Sequence, residues 1–339
     1  MVHIIFILVL LFSMPSINKR LPFIVFSFAI LLLFMSLRYD YGNDYMEYMN
    51  IHYLINLDLP AWGSEDILFK YLNKSIPNFF FMIFFISIFY ILVIYELITK
   101  NLNSNQYWLA VFILLVNPYL YLIHLSSIRQ TLAICFFIIA VNFAIKRKIL
   151  PYIFFVILAS GMHASATILL PVYFLITEKI NKKIQLITLS MLFLLLFTPL
   201  FDSITNILMQ YYPSHYEFYY NEQSGNSLRA TLLSSIFFFV VFFNLNKLEQ
   251  KEIVYAKLSL IGTILSMLAF KLSMVTRFSM YFEVFLIITI PQILNKIPNK
   301  ILRYTILILL LLIYVLRYYS FFNNPLWEKF WEYKSLFNR

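Results

Sequence analysis

The feature that most constrains this chain is a pair of apolar runs joined by three consecutive basic residues. The first run covers residues 129–145, the basic turn covers 146–148, and the second run covers 149–161. Helices of these lengths are about 20–25 Å long, close to the ~30 Å thickness of a bilayer's hydrocarbon core. We predict a helical hairpin in a membrane with its basic turn in the cytoplasm. Arg129 and His163 then lie together at the opposite surface, where an arginine is a candidate functional residue.

The composition supports a membrane protein and argues against a soluble one. Hydrophobic residues make up 62% of the chain and charged residues 12%, whereas soluble domains carry about 25% charged residues. The net charge of +10 could indicate a nucleic-acid partner, but the basic residues stand in short turns between apolar runs. Cytoplasmic turns explain them better, so we predict no nucleic-acid partner. The single cysteine, Cys135, lies inside an apolar run, which excludes an internal disulfide.

Hydropathy predicts an all-α, polytopic membrane protein with about twelve transmembrane helices. The predicted spans are 2–16, 21–37, 78–98, 107–123, 129–145, 149–161, 164–176, 184–200, 230–245, 254–270, 278–294 and 301–316. We treat residues 1–317 as one transmembrane domain. Residues 318–339 form a tail with Trp327 and Trp331 four positions apart, which is typical of an interfacial helix.

The distribution of basic residues predicts the orientation. More than half of the 26 Lys and Arg residues belong to turns on one side: 18–20, 96–106, 146–148, 177–183, 246–257 and 292–303. We assign this side to the cytoplasm. The opposite side then carries two long loops, 38–77 and 201–228. Loops of this length are usually functional or contain short helices of their own, so we expect the functional site on the outer face.

Five short motifs follow one another along the chain. They read R-x-x-x-G-x-D-Y at 38–45, S-E and L-F-K within 64–70, I-R-Q-x-L-A at 128–133, H-x-S at 163–165, and R-F-x-x-Y-F at 277–282 with Pro291 beyond. In order and spacing they resemble the motifs of bacterial polysaccharide polymerases of the EpsG-like, Wzy-type family.

The resemblance implies an enzyme that joins undecaprenyl-diphosphate-linked oligosaccharide repeats on the outer (periplasmic) face of the bacterial inner membrane. Its product would be O-antigen or a related surface polysaccharide such as capsule. The fold would be distantly similar to GT-C-type membrane glycosyltransferases. The implied partners are the lipid-linked donor and acceptor glycans, membrane lipids and a chain-length regulator, and no cofactor is expected.

Arginines suit the diphosphate of such a substrate, because a guanidinium stays charged and binds phosphate oxygens in pairs. Arg38, Arg129, Arg229 and Arg277 each stand where an outer loop meets a predicted span. The alternative interpretation is that each one merely extends toward lipid headgroups. For Arg129 and Arg277, which belong to the family motifs, we favour a role in binding the diphosphate.

Transfer of a sugar to a hydroxyl also needs a base near the acceptor. Asp44 and His163 are the two candidates, and we favour Asp44. It follows Gly42 close to the membrane, where partial desolvation would raise its pKa. Asp44 could instead cap a short helix or pair with Arg38, and His163 could be a hydrogen-bonded structural residue.

Candidate glycan-binding residues lie in both outer loops and at the start of the 129–145 run. They are Tyr45, Gln130, His215 and Glu217. The aromatic segment 211–220 could stack on sugars or form an interfacial belt. The five histidines are dispersed and the loop acids are loosely spaced, so we predict no metal site.

Two other classes of protein also fit a basic, polytopic chain. A flippase for the same lipid-linked repeat would usually show repeat symmetry and polar residues at the midplane, whereas the ionisable residues here gather at one surface. A membrane O-acyltransferase or another lipid-linked glycan transferase or ligase remains an alternative enzyme.

Overall fold

The computed structural model describes residues 1–14, 21–177, 228–271 and 274–337. Within these ranges every regular element is a helix, as predicted. The α-helices are α1 (Val2–Ser13), α2 (Leu21–Ser36), α3 (Tyr45–Asn56), α4 (Ile67–Ser75), α5 (Phe79–Thr99), α6 (Tyr107–Val116), α7 (Leu122–Ser126), α8 (Ile128–Ile145), α9 (Ile149–Met162), α10 (Val172–Thr177), α11 (Leu228–Asn244), α12 (Gln250–Leu268), α13 (Val275–Glu283), α14 (Leu286–Lys296) and α15 (Lys300–Phe322).

The predicted hairpin is confirmed as α8 and α9, which pack along one another. The chain reverses at Arg147, whose φ of +55° is in the left-handed region. Protein surrounds helix α8, in which 72% of the residues are buried. In the most apolar 18-residue segment of α15 only 17% of the residues are buried. Helix α8 therefore lies in the core, and α15 presents a broad apolar surface outward.

Four helices in the described residues are long and apolar enough to cross a membrane, or up to six spans if each of two bent pairs counts as one. The four are Phe79–Thr99, Ile128–Ile145, Ala230–Lys247 and Lys300–Phe322. The shorter apolar helices include α1 and α9. The predicted count of twelve is thus not confirmed, and the predicted span at 184–200 lies outside the described residues.

Two predicted spans are broken. Residues 107–123 were predicted as one helix, but α6 ends at Val116 and the chain turns by 95°. Asn117 is extended, with φ −96° and ψ 100°, because Pro118 disfavours the helical conformation of the residue before it. Residues 278–294 divide into α13 and α14, which meet at 50°.

The predicted span at 164–176 is also not one α-helix. A 3₁₀ helix covers Ala164–Leu169, and α10 begins at Val172. Together they make one apolar helical stretch, Ala164–Thr177, which changes type near Pro171 because its missing N–H and fixed φ interrupt the α-helical hydrogen bonds.

The structure brings the described basic turns together at one end of the bundle, which we call the basic-turn end. Arg147 Nη2 donates to the Thr177 carbonyl at 2.9 Å. Lys296 Nζ lies 2.6 Å from Glu249 Oε1, and Gln292 Nε2 donates to the Asn101 carbonyl at 3.1 Å. The predicted turn at 18–20 is among the residues not described.

The opposite end, which we call the loop end, is about 27 Å away along α8. The long loop 38–77 folds there into α3 and α4, in keeping with the expectation of short helices. The C-terminal tail packs onto the start of this loop. Tyr39 N donates to the Lys334 carbonyl and Leu336 N donates to the Leu37 carbonyl, both at 2.9 Å.

Candidate functional site

A buried carboxylate organises the loop end. Asp66 Oδ2 lies 2.8 Å from Arg129 Nη1, and both side chains are less than 10% exposed. Asp66 Oδ1 accepts a hydrogen bond from the Ala164 main-chain N–H at 3.0 Å. One side chain thus joins the first loop, the first turn of α8 and the segment that follows α9. Such a carboxylate needs these partners because burying an unpaired charge is costly.

The local sequence places Asp66 at the N-cap of α4, where its backbone is extended. A turn precedes it, in which Ser64 N donates to the Ala61 carbonyl at 3.1 Å and Asp66 N to the Gly63 carbonyl at 3.3 Å. Gly63 has φ +79°, a conformation that favours glycine. A Cβ at this position would also lie 2.6 Å from Arg129 Cζ, so a larger residue here would displace the guanidinium from its position beside the turn.

Aromatic side chains enclose the Arg129 guanidinium. Its Cζ lies 4.2 Å from the ring centroid of Trp62 and 5.9 Å from that of Phe69. Burial raises the pKa of the Tyr48 phenol, while the neighbouring Arg129 charge acts in the opposite direction. Arg129 is therefore held by a carboxylate and by ring faces, which attract a cation.

His163 lies beside the same carboxylate. It is the C-cap of α9, with φ −157° and ψ 114°, and its Nδ1 is 3.7 Å from Asp66 Oδ2. Nδ1 is buried and has no hydrogen-bond partner among the described residues. The predicted meeting of Arg129 and His163 at one surface is thus seen, with Asp66 between them.

Asp44 is half-buried at the N-cap of α3, but its side chain does not cap that helix. Burial raises the pKa of its carboxyl, and the nearby Glu47 raises it further. Arg277 and Arg129 act in the opposite direction because a positive charge stabilises the carboxylate. Asp44 therefore lies within the electrostatic reach of both motif arginines and has a pKa moved toward neutrality.

The motif at 277–282 meets the start of α8. Gln130 Nε2 donates to the main-chain carbonyl of Arg277, and the Arg277 side chain is exposed in the first turn of α13. Ser165 Oγ and Tyr281 Oη lie 2.9 Å apart. These two contacts hold the third, fourth and fifth sequence motifs together at the loop end.

Two predicted substrate-binding residues lie in the core beneath the loop. Arg38 is 1% exposed, and its guanidinium donates to the main-chain carbonyls of Met35 and, at 3.2 Å, Leu125. Tyr45 is buried, and its hydroxyl donates to the Arg38 carbonyl at 3.1 Å. In this conformation neither side chain reaches the surface of the loop end, and both pack beneath it.

The second long loop, 201–228, falls outside the described residues except for Leu228. The predictions for His215, Glu217 and the aromatic segment 211–220 therefore have no structural counterpart. Arg229 lies in α11, and its side chain is likewise not described.

Sequence reasoning did not single out Asp66, Trp62 or Tyr48. Asp66 directly precedes an amphipathic helix in a segment that already resembled a family motif, so its position as an N-cap was available as a signal. The pairing of Asp66 with Arg129 could not be predicted from the local sequence, because 63 positions separate the two residues. Trp62 gave no local signal beyond its place before a glycine.

The described residues contain no group of three or more His, Cys, Asp or Glu side chains placed to share a metal ion. Arg129, Arg277, Asp44 and His163 form the loop-end cluster, which offers two guanidinium groups, a half-buried carboxylate and an imidazole. These groups can bind an anion and accept a proton in the same place.

The helical architecture with its apolar spans defines a membrane protein, and its five sequence motifs lie at the loop end. A sequence model of the EpsG family matches residues 21–335. The chain therefore belongs to the EpsG family, consistent with the polysaccharide polymerases that its motifs resemble. Comparisons with curated proteins and with solved structures found no match.

Proposed function

We propose that this protein is a membrane glycosyltransferase that polymerises undecaprenyl-diphosphate-linked oligosaccharide repeats into O-antigen or a related surface polysaccharide. Membership of the EpsG family supports a role in making polysaccharide. The observation that carries the proposal is the position of Asp44, half-buried and within the electrostatic reach of Arg129 and Arg277. A base beside cationic groups is the arrangement that this reaction requires.

In the proposed reaction, an acceptor sugar hydroxyl attacks the anomeric carbon of the lipid-linked donor. A new glycosidic bond forms as the bond from that carbon to the diphosphate oxygen breaks. The hydroxyl proton passes to the Asp44 carboxylate, and undecaprenyl diphosphate leaves with the electron pair. Asp44 suits this step because burial raises the pKa of its carboxyl, which favours proton acceptance, while the nearby Arg277 and Arg129 act in the opposite direction by stabilising the carboxylate.

The two motif arginines take different roles in this proposal. Arg277 has an exposed side chain, so we assign it to the diphosphate, whose negative charge increases as the donor bond breaks. Arg129 is committed to Asp66 and supports the site through that contact. We assign Arg38 and Tyr45 to the packing beneath the loop, and we keep Gln130 as a link to Arg277.

His163 remains the second candidate base. Its Nδ1 faces Asp66, which suits an imidazole that is held in one orientation. We therefore propose that it orients substrate, and that Asp44 accepts the proton.

The orientation and the fold relationship also belong to this proposal. The gathering of the basic turns at one end supports a cytoplasmic basic-turn end and an outward-facing loop end in the bacterial inner membrane. A full complement of about twelve spans and a distant similarity to GT-C-type glycosyltransferases would follow from the resemblance. A chain-length regulator is a proposed partner.

The proposal is tested with purified protein in liposomes supplied with the undecaprenyl-diphosphate-linked repeat. Asp44→Asn keeps the size of the side chain but cannot accept a proton, so chain extension should fall about 10²–10⁴-fold. Initial rates are read from the ladder of polymer lengths on a gel. His163→Gln should retain a measurable fraction of the rate.

Asp58→Asn is the matched control. Asp58 belongs to the same loop but forms an exposed ion pair with Lys74, so its loss should leave the rate unchanged. An inactive His163→Gln beside an active Asp44→Asn would assign the base to His163 instead. Wild-type protein that binds the lipid-linked repeat but makes no polymer would reject the polymerase proposal.

A further inference from the structure

Trp62 has one covered ring face and a largely open side chain. The Arg129 guanidinium covers one face, with Cζ 4.2 Å from the ring centroid. The residue is nevertheless 55% exposed. Because the guanidinium occupies one face, we infer that the exposed area of the side chain lies on the opposite face and at the ring edge. The indole is thus a flat aromatic surface at the loop end, open on one side.

The Arg129 guanidinium, which covers one face of the Trp62 ring, is itself held in place by its neighbours. Arg129 is itself fixed by Asp66 at 2.8 Å, and Gly63 lets the main chain pass against the guanidinium, where a Cβ would not fit. Trp62 therefore belongs to a rigid stack of carboxylate, guanidinium and indole. A ligand that binds a preorganised ring loses little additional conformational entropy.

The chemistry of this surface suits a sugar ring. The face of an aromatic ring carries negative charge density, and a pyranose presents C–H groups of slight positive charge on its less polar face. The Asp44 carbonyl accepts a hydrogen bond from Tyr48 N at 2.9 Å. The Tyr48 ring packs on Phe69, which also faces the Arg129 guanidinium, so a carboxylate that can accept hydrogen bonds from hydroxyls lies in the same neighbourhood. A sugar stacked on Trp62 would hold its hydroxyls near the candidate base.

We propose that Trp62 is a stacking platform for a pyranose ring of the glycan and that it contributes to binding the lipid-linked repeat. The proposal rests on the function proposed above. The competing interpretation is a tryptophan anchored in lipid headgroups. The sugar is favoured because the ring is backed by a buried ion pair and covers a polar cluster, whereas an interfacial tryptophan belongs on the apolar outer surface of a span.

The test compares Trp62→Ala and Trp62→Phe with Trp331→Ala. Trp331 is a matched control because it is similarly exposed, at 52%, but lies in the C-terminal tail. The probe is the repeat oligosaccharide released from the cell's own polymer, titrated calorimetrically into protein in lipid nanodiscs. Trp62→Ala should weaken binding and raise KM for the lipid-linked repeat by about 10-fold with kcat within about twofold.

Trp62→Phe should retain most of the affinity because it keeps an aromatic face, and Trp331→Ala should match the wild type. Thermal unfolding of each variant shows whether its fold is intact. The fluorescence difference between wild type and Trp62→Phe reports on Trp62 alone. This difference signal should change when oligosaccharide is added.

Quenching of the difference signal by lipids brominated in their acyl chains, with no response to oligosaccharide, would overturn the proposal in favour of a membrane anchor. Equal KM values for wild type and Trp62→Ala would overturn it as well. The binding measurement does not require turnover. Sugar binding through Trp62 without polymer formation would reject the polymerase function but support the stacking platform. A polymerisation rate that Trp62→Ala leaves unchanged would support the polymerase function and reject the platform.

Discussion

Two buried ion pairs in this protein differ in how well their charges are satisfied. In the first, Asp66 and Arg129 are 2.8 Å apart, and the carboxylate also accepts a main-chain hydrogen bond from Ala164. In the second, Glu283 Oε2 and Arg317 Nη2 are 3.7 Å apart, at similar burial. The first pair has the geometry of a charge-assisted hydrogen bond, and the second is a looser electrostatic contact.

The two pairs also differ in the segments that they connect. The Asp66–Arg129 pair joins three segments that are distant in sequence, whereas the Glu283–Arg317 pair joins α13 and α15. Arg317 also lies over the Tyr119 ring, with Cζ 4.7 Å from the centroid. Among the described residues the neighbouring Tyr314 hydroxyl has no hydrogen-bond partner. The comparison teaches that burial alone does not make an ion pair an organising element, because the gain also depends on a close distance between the charged groups and on which segments the pair joins.

The largest expected effect is that of breaking the first pair. Asp66→Asn leaves Arg129 buried without a countercharge, which should cost about 3–5 kcal/mol of stability and abolish polymer formation. Thermal unfolding in nanodiscs and the polymer ladder measure the two effects. The double variant Asp66→Asn with Arg129→Gln removes both charges, so it should be more stable than Asp66→Asn alone.

The double variant separates stability from function. It should remain inactive although it is more stable than the single variant, because the loop turn and Trp62 lose their support. An Asp66→Asn protein as stable as the wild type would remove the contrast between the two pairs.

A smaller effect is expected from the second pair. Glu283→Gln should cost about 1–2 kcal/mol, since the 3.7 Å contact provides less favourable interaction to lose and the amide can still form hydrogen bonds. The polymerisation rate should stay within a few-fold of the wild type. If unfolding shows a loss equal to that of Asp66→Asn, the distance between the charged groups does not govern their contribution.

The smallest effect on stability is expected at Arg277, the exposed counterpart of the buried Arg129; its replacement should slow the reaction, because Arg277 is assigned to the diphosphate, and should also change the pH dependence. Arg277 lowers the pKa of Asp44, so Arg277→Gln should raise that pKa. A base acts only when deprotonated, and the acidic limb of the pH profile of kcat/KM should therefore move to higher pH. Added salt should reduce the difference because exposed charges are screened.

Arg303→Gln is the control for this measurement, since Arg303 lies in the first turn of α15 at the basic-turn end. It should leave the pH profile where it is. A profile that is identical in wild type and Arg277→Gln would show that Arg277 does not influence the group that titrates.

Several elements could be predicted because their signals are local. The run 129–145 is apolar and ends in basic residues, and α8 ends at Ile145 as expected. The breaks in two predicted spans were missed, because hydropathy averages over a window and does not register the extended residue before Pro118. The bend between α13 and α14 depends on packing: a Cβ on Gly262 of α12 would lie 2.8 Å from the Glu283 main-chain nitrogen.

The amino-acid sequence by itself determined the helical class, the apolar character of the long helices, the grouping of the basic turns and the family motifs. These follow from composition and short-range pattern, which act over a few turns of helix. Only the tertiary structure decided that Arg129 is neutralised by Asp66, that Arg38 is committed to main-chain carbonyls, and that Trp62 covers a guanidinium. The reason is that a side chain's partner and its desolvation depend on which distant segments meet, and no local pattern encodes that meeting.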